Sequence, residues 1–135
     1  MDNSIKINKA LVCNSEETVI EVARRMRESN ERHVFVINSM IDKKIDSNNN
    51  NQKLVGIIST VDICNKIVAE GKSLSTMVKD VMNPVETVEK KQDEEYALKI
   101  MMERNTFTCP VVDNGIFLGV VNYNDIFQKV VQKVK

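Results

Sequence analysis

The chain has 135 residues, 42% of them hydrophobic, and its 19 basic side chains are balanced by 19 acidic ones. Zero net charge argues against sequence-independent nucleic-acid binding, which needs an excess of Lys and Arg on one face, and no stretch approaches the roughly 20 apolar residues that span a bilayer. Three cysteines, Cys13, Cys64 and Cys109, form no CxxC pair; with no signal peptide recognisable, a reducing cytoplasm is the predicted setting.

In chain order, Asn14 with Glu17 predicts a capping box. After it, Val19, Val22, Ala23 and Met26 recur as the apolar stripe of a helix. His33 to Ile37 and Leu54 to Ile58 read as short β-branched strands. Between them an insertion at about 42–53, rich in Asp, Ser and Asn, has the composition of a surface loop. A second helix is predicted from about Val61 to Glu70, with Ile63, Ile67 and Val68 inward and Gly71 as its stop. Ser75 to Met82 reads as a short helix ending ahead of Asn83-Pro84, and Val85 to Val88 as an extended lead-in. Tyr96, Ala97, Ile100 and Met101 form the inner face of the next helix. Thr108 to Val112 and Ile116 to Val121 are strands joined at Asp113-Asn114-Gly115, a tight-hairpin signal. Ile126, Phe127, Val130, Val131 and Val134 drive a closing helix.

The second half repeats the first. Val36-Ile37-Asn38 fall on Val111-Val112-Asp113, Gly56-Ile57-Ile58 on Gly119-Val120-Val121, and Asp62 on Asp125. An internal repeat fixes architecture before any residue-level reading. The expectation is an α+β fold with two β-α-β-β-α repeats, 1–74 and 75–135, packed sheet to sheet about a pseudo-two-fold axis with clefts between them. One mismatch stands out: polar Glu94 occupies the place of Val19.

The sharpest local signal is Gly56 to Asp62, repeated as Gly119 to Asp125, each running from a strand into a helix. Ser59 and Asn122 suit helix N-caps, with an acidic residue at the third helical position, which explains the spacing by itself. The same geometry can serve an anion or a ribose: Asp62 can accept from ribose hydroxyls while Ser59 and nearby amides face a phosphate. A carboxylate so near repels phosphate, so that arrangement needs a cation nearby, and Arg32 and His33 are the candidates. His33 taken alone reads more readily as a structural residue. The seven methionines suit adaptable packing, with Met82 and Met101 as candidates to border a cleft. Cys109 reads as a small buried side chain.

This set resembles the cystathionine-β-synthase (CBS) domain in its tandem, or Bateman, form. The residues that carry it are the Ala97–Met101 face, Cys109-Pro110-Val111-Val112-Asp113, Gly119 to Asp125, their weaker first-copy equivalents, and Lys79 to Val85 before the second copy. The resemblance implies a stand-alone regulatory module whose inter-repeat clefts bind AMP, ADP, ATP or S-adenosylmethionine. By the same resemblance Ser59, Thr60 and Asp62 contact phosphate and ribose, Arg32 and His33 reach phosphate, and Thr108, Pro110, Asn122 and Asp125 form the second site. The copies depart from the family pattern differently. Phe35 replaces the proline in the first; Phe107, Thr108 and Asn122 replace the basic residues and hydroxyl in the second. One competent site at Asp62 and a weaker one at Asp125 are expected.

The resemblance also implies a homodimer paired through helix stripes (Val19, Val22, Met26; Val130, Val131, Val134), and with no enzyme or transporter domain in the sequence a separate regulated protein is the expected target. An assembly module with vestigial clefts is the alternative, and nucleic-acid binding rests only on Lys129, Lys133 and Lys135. Catalysis has no support: there is one His, no Ser–His–Asp or Cys–His pattern and no GxxxxGK[ST] loop, and Asp62 and Asp125 fall in separate repeats.

Overall fold

The computed structural model of the protein describes residues 6–39 and 52–134. It is a mixed α+β fold that divides into two compact units. One spans Ala10–Val85; the other joins the chain start, through Lys9, to everything from Glu86 onward. Each contains β-α-β-β-α, as the repeat predicts.

In the unit Ala10–Val85, β1 (Val12–Asn14) pairs parallel with β2 (His33–Ser39), and β2 pairs antiparallel with β3 (Gln52–Ser59). Helix α1 (Val19–Ser29) buries Val19, Val22 and Met26, the predicted stripe. Its capping box is Thr18 with Glu21, not Asn14 with Glu17. Thr18 holds the extended backbone an N-cap needs directly before the first apolar position. Asn14 and Glu17 close a separate turn upstream, where the Asn14 N–H donates to Glu17 Oε2 at 2.7 Å. Most of the predicted insertion, residues 42–51, lies outside the described residues; its last two, Gln52 and Lys53, belong to β3, opposite Ser39 and Asn38.

Helix α2 (Thr60–Ile63) continues directly into a π-helical turn, Cys64–Val68. The wider turn re-phases the stripe. Ile67 is fully buried, whereas Val68, expected inside, is 66% exposed. The helical run ends at Val68, two residues short of the expected Glu70, and a turn closes it through Gly71 at φ 64°, the Lys72 N–H donating to the Ile67 carbonyl at 2.9 Å. The helix expected over Ser75 to Met82 shrinks to a single 3-10 turn, Val78–Asp80. Ahead of it Ser73 Oγ accepts from the Ser75 N–H and Thr76 Oγ1 donates to the Ser73 carbonyl; such local bonds compete with helix. Cys13, Val34, Val36, Ile58, Ile67, Val78 and Val81 complete this unit's core with the α1 stripe.

In the other unit, β4 covers only Val88–Glu89, parallel to β5 (Thr108–Asp113). It is shorter and later than the expected lead-in over Val85 to Val88. Helix α3 (Glu94–Arg104) buries Ala97, Ile100 and Met101, while Tyr96 sits outside the stripe, 40% exposed. Met101 is therefore core. β5 and β6 (Ile116–Asn122) form the predicted hairpin, with Asn114 and Gly115 both at positive φ, 51° and 86°. That is the mirror turn whose twist matches paired strands. Both hairpins slip register at the same place, Val36/Ile37 and Val111/Val112. Helix α4 (Tyr123–Val134) buries Ile126 but leaves Phe127 48% exposed; the side chains of Val130, Lys133 and Val134 lie outside the described residues, as does Lys135 entirely. Glu94 is polar because Lys129 of α4 donates to its carboxylate. Burial of Cys109 raises its thiol to about 11, and burial of Cys13 raises that thiol to about 12.

Candidate functional site

Ser59 ends β3 and caps α2, its hydroxyl accepting from the Asp62 N–H at 3.2 Å. Asp62 answers: its Oδ2 accepts from the Ser59 N–H at 2.8 Å and is 2.9 Å from the Ser59 hydroxyl. The predicted capping pair is real, and it points the carboxylate back over the strand end. There Oδ1 accepts from Asn83 Nδ2 at 2.8 Å, with Lys66 Nζ at 3.7 Å. Lys66 also donates to Asn83 Oδ1 at 2.7 Å and to the Val81 carbonyl at 2.9 Å. Burial works to raise the Asp62 carboxyl, but hydrogen bonds from Asn83 and from the Ser59 backbone and hydroxyl, with Lys66 alongside, hold it below the usual range.

The cation beside Asp62 is Lys66; neither it nor Asn83 was singled out from the sequence as a partner of that carboxylate. Arg32 and His33 lie at the start of β2, both exposed. The Arg32 carbonyl accepts the Thr60 N–H at 3.0 Å, and His33 is opposite Ser59 in the ladder. Arg32 and Thr60 share the wall of a cavity of about 360 Å³, with Arg27 and Asn30 beside them and Met26 and Ile63 among the apolar lining. That volume is within the range of small-molecule sites.

The second unit repeats the plan with different chemistry. Asp125 Oδ2 accepts from Asn8 Nδ2 at 2.8 Å. Asn8 exchanges backbone hydrogen bonds with Val120 at 2.7 and 2.9 Å, as Asn83 does with Ile57 at 2.8 and 2.9 Å. The spacing that lays Glu94 on Val19 also lays Asn83 on Asn8, the signal that would have found both. Thr108 faces Asn122 across the hairpin, its Oγ1 buried with no hydrogen-bond partner among the described residues. Pro110 is buried in β5 opposite Val120. Where the first copy has Arg32 and Thr60, the second has Phe107 and Tyr123, edge to face at 6.1 Å, with Phe127 stacked on Tyr123 at 6.0 Å.

The glycines of both runs are dictated by this arrangement. A Cβ on Gly56 would lie 2.7 Å from Met82 Sδ and 2.9 Å from the Asn83 carbonyl oxygen. On Gly119, at φ +148°, it would lie 2.4 Å from the Asn8 carbonyl oxygen. Each glycine lets an asparagine segment close onto the strand beside the aspartate.

Residues 4–69 and 78–132 each match the CBS domain model, so the chain belongs to the CBS domain family, as a tandem pair. An uncharacterized protein of Methanopyrus kandleri, MK0525, is 32% identical over 115 residues, 83% of this chain and 53% of its own length. The mitochondrial CBS domain-containing protein CBSX3 of Arabidopsis thaliana is 27% identical over 127 residues, 91% of this chain and 57% of its own. The chain thus spans a little over half the length of these curated relatives. Among solved structures, Hypoxic Response Protein I, with two coordinated zinc ions, matches at TM-score 0.76 and 19% identity over 94% of this chain and 95% of its own. The AMP complex of PAE2072 from Pyrobaculum aerophilum matches at 0.71 and 20% over 96% and 95%. The pair of protein MJ0100, with 5′-methylthioadenosine and S-adenosylmethionine, matches at 0.64 and 23% over 95% and 96%. These likenesses bear on the fold. Among the described residues no group of His, Cys, Asp and Glu could hold a metal ion, and no helix is long and apolar enough to cross a membrane.

Proposed function

We infer that this chain is a regulatory module that binds an adenosyl ligand, AMP, ADP, ATP or S-adenosylmethionine, with Asp62 as the ribose-recognising carboxylate. One observation carries this reading: Asp62 is held ionised and oriented at a strand-to-helix junction, in a chain of a family with members seen with AMP or S-adenosylmethionine. A fixed carboxylate suits the vicinal hydroxyls of ribose, and Arg32 and His33 at the neighbouring strand start suit phosphate. Thr60 shares the cavity wall with Arg32 and donates its N–H to the Arg32 carbonyl. Thr108, Pro110, Asn122 and Asp125 form a second site. With Phe107 and Thr108 in the cationic places, it binds phosphorylated ligands less well.

The function is signalling by differential binding, without catalysis: a ligand shifts an equilibrium only as far as it prefers one state. The setting is cytoplasmic, where thiols such as exposed Cys64 stay reduced. The test is mass spectrometry of small molecules released when the purified protein is denatured. An adenosyl compound retained with the chain supports the reading. None retained, even after loading with AMP and desalting, counts against it.

A second reading, assembly, is favoured by the exposed rings of Phe107, Tyr123 and Phe127, at 75%, 41% and 48%. Apolar rings in mutual contact at a surface suit a protein partner, here a second copy of the chain.

A further inference from the structure

Resting on that reading of Asp62, we propose that Asn83 is an internal latch on the Asp62 carboxylate which an adenosyl ligand must release, and that Asn8 latches Asp125 in the same way. A ribose offers O–H donors to a carboxylate; an asparagine amide offers N–H donors of similar reach. In the present arrangement the place is taken. Oδ2 faces Ser59, Oδ1 receives Asn83 Nδ2 at 2.8 Å, and the Asp62 side chain is only 15% exposed. A ribose reaching Oδ1 competes with that amide.

The latch can open without unfolding the strand edge. Asn83 is anchored independently of its side chain, by two backbone hydrogen bonds to Ile57 at 2.8 and 2.9 Å. Its amide is shared between Asp62 and Lys66, and Lys66 keeps the Val81 carbonyl at 2.9 Å. Rotation of one side chain therefore frees Oδ1 while the backbone bridge stays. Gly56 permits the close approach that brings Asn83 within reach. The second unit holds the same parts in the same order: Asn8 bridged to Val120, its amide on Asp125 at 2.8 Å, and Gly119 beneath. The contact is thus built twice, from residues at matching places early in the two repeats.

The sign of a substitution at Asn83 separates two roles. A residue that merely helps bind ligand weakens affinity when truncated; a latch strengthens it. Breaking a hydrogen bond to a charged group is a cost that Asn83→Ala removes in advance, so AMP binds the variant tighter by about tenfold. Calorimetry with AMP on the parent and on Asn83→Ala reads this directly. In the parent, the Asn83 side-chain amide signals in nitrogen-15 NMR shift strongly on saturation with AMP, a reading that needs no variant. Equal or weaker binding by Asn83→Ala, or an Asn83 amide unmoved by saturating AMP, overturns the latch and leaves the ligand reading intact. No binding of AMP to either protein overturns both.

Discussion

Asp62 concentrates the physical chemistry of this chain in one side chain. Burial works against its charge, yet donors from Ser59 and Asn83, with Lys66 alongside, hold its folded pKa below the usual range. A depressed folded pKa means the stabilisation is complete above the unfolded value, ~3.9 for Asp. It is lost as pH falls through the lower folded value. In urea melts from pH 6 downward, Asp62→Asn should be less stable than the parent above pH ~4, the two curves converging in stronger acid. A pH-independent gap would show that the carboxylate's charge contributes nothing. The sequence made Ser59 and Asp62 legible because capping chemistry has a fixed spacing. Lys66 was not legible as a partner, since a helical lysine carries no signal of where the chain folds back, and Asn83 was legible only as the repeat counterpart of Asn8.

At the level of elements, the tightest constraint is the approach of the asparagine segments to β3 and β6. Gly119→Ala should destabilise by about 2–4 kcal/mol, because a Cβ meets the Asn8 carbonyl oxygen and the backbone is in a region L-residues rarely adopt. Chemical denaturation measures it, and a loss under about 0.5 kcal/mol, the range of ordinary surface changes, would refute the close approach. Most elements could be read in advance. The β-branched strand segments, the Asn114-Gly115 turn and the α1 stripe are local codes, and the structure repeats them. Failures came where a local competitor intervened. The π turn after Ile63 turned Val68 outward, serine and threonine side chains shortened the Ser75–Met82 helix, and Thr18 displaced Asn14 as the cap.

At the scale of the molecule, duplication produced two units with one plan and two chemistries. The first keeps Arg32, His33, Ser59 and Asp62. The second replaces the cationic places with Phe107 and Thr108 and exposes Tyr123, Phe127 and Val131 along α4. Of the dimer stripes expected from sequence, Val19, Val22 and Met26 are spent in the core, at 0%, 0% and 3% exposure. A helical period says which residues share a face, not which neighbour covers it. The exposed α4 stripe is the remaining candidate. Light scattering at tens of micromolar (a concentration in the usual affinity range) should give a dimer for the parent and a monomer for Phe127→Glu. A monomeric parent, or a dimer indifferent to Phe127, would remove the assembly reading.

Recognition of an adenosyl ligand by the Asp62 carboxylate is the proposed function on which the rest depends. It is tested most directly by titrating AMP, ATP and S-adenosylmethionine into the parent and into Asp62→Ala in a calorimeter. The predicted result is saturable heat from at least one of the three, with affinity reduced tenfold or more in the variant, as expected for loss of a charged hydrogen-bond acceptor. Heat from none of them, or an isotherm that Asp62→Ala leaves unchanged, would contradict it.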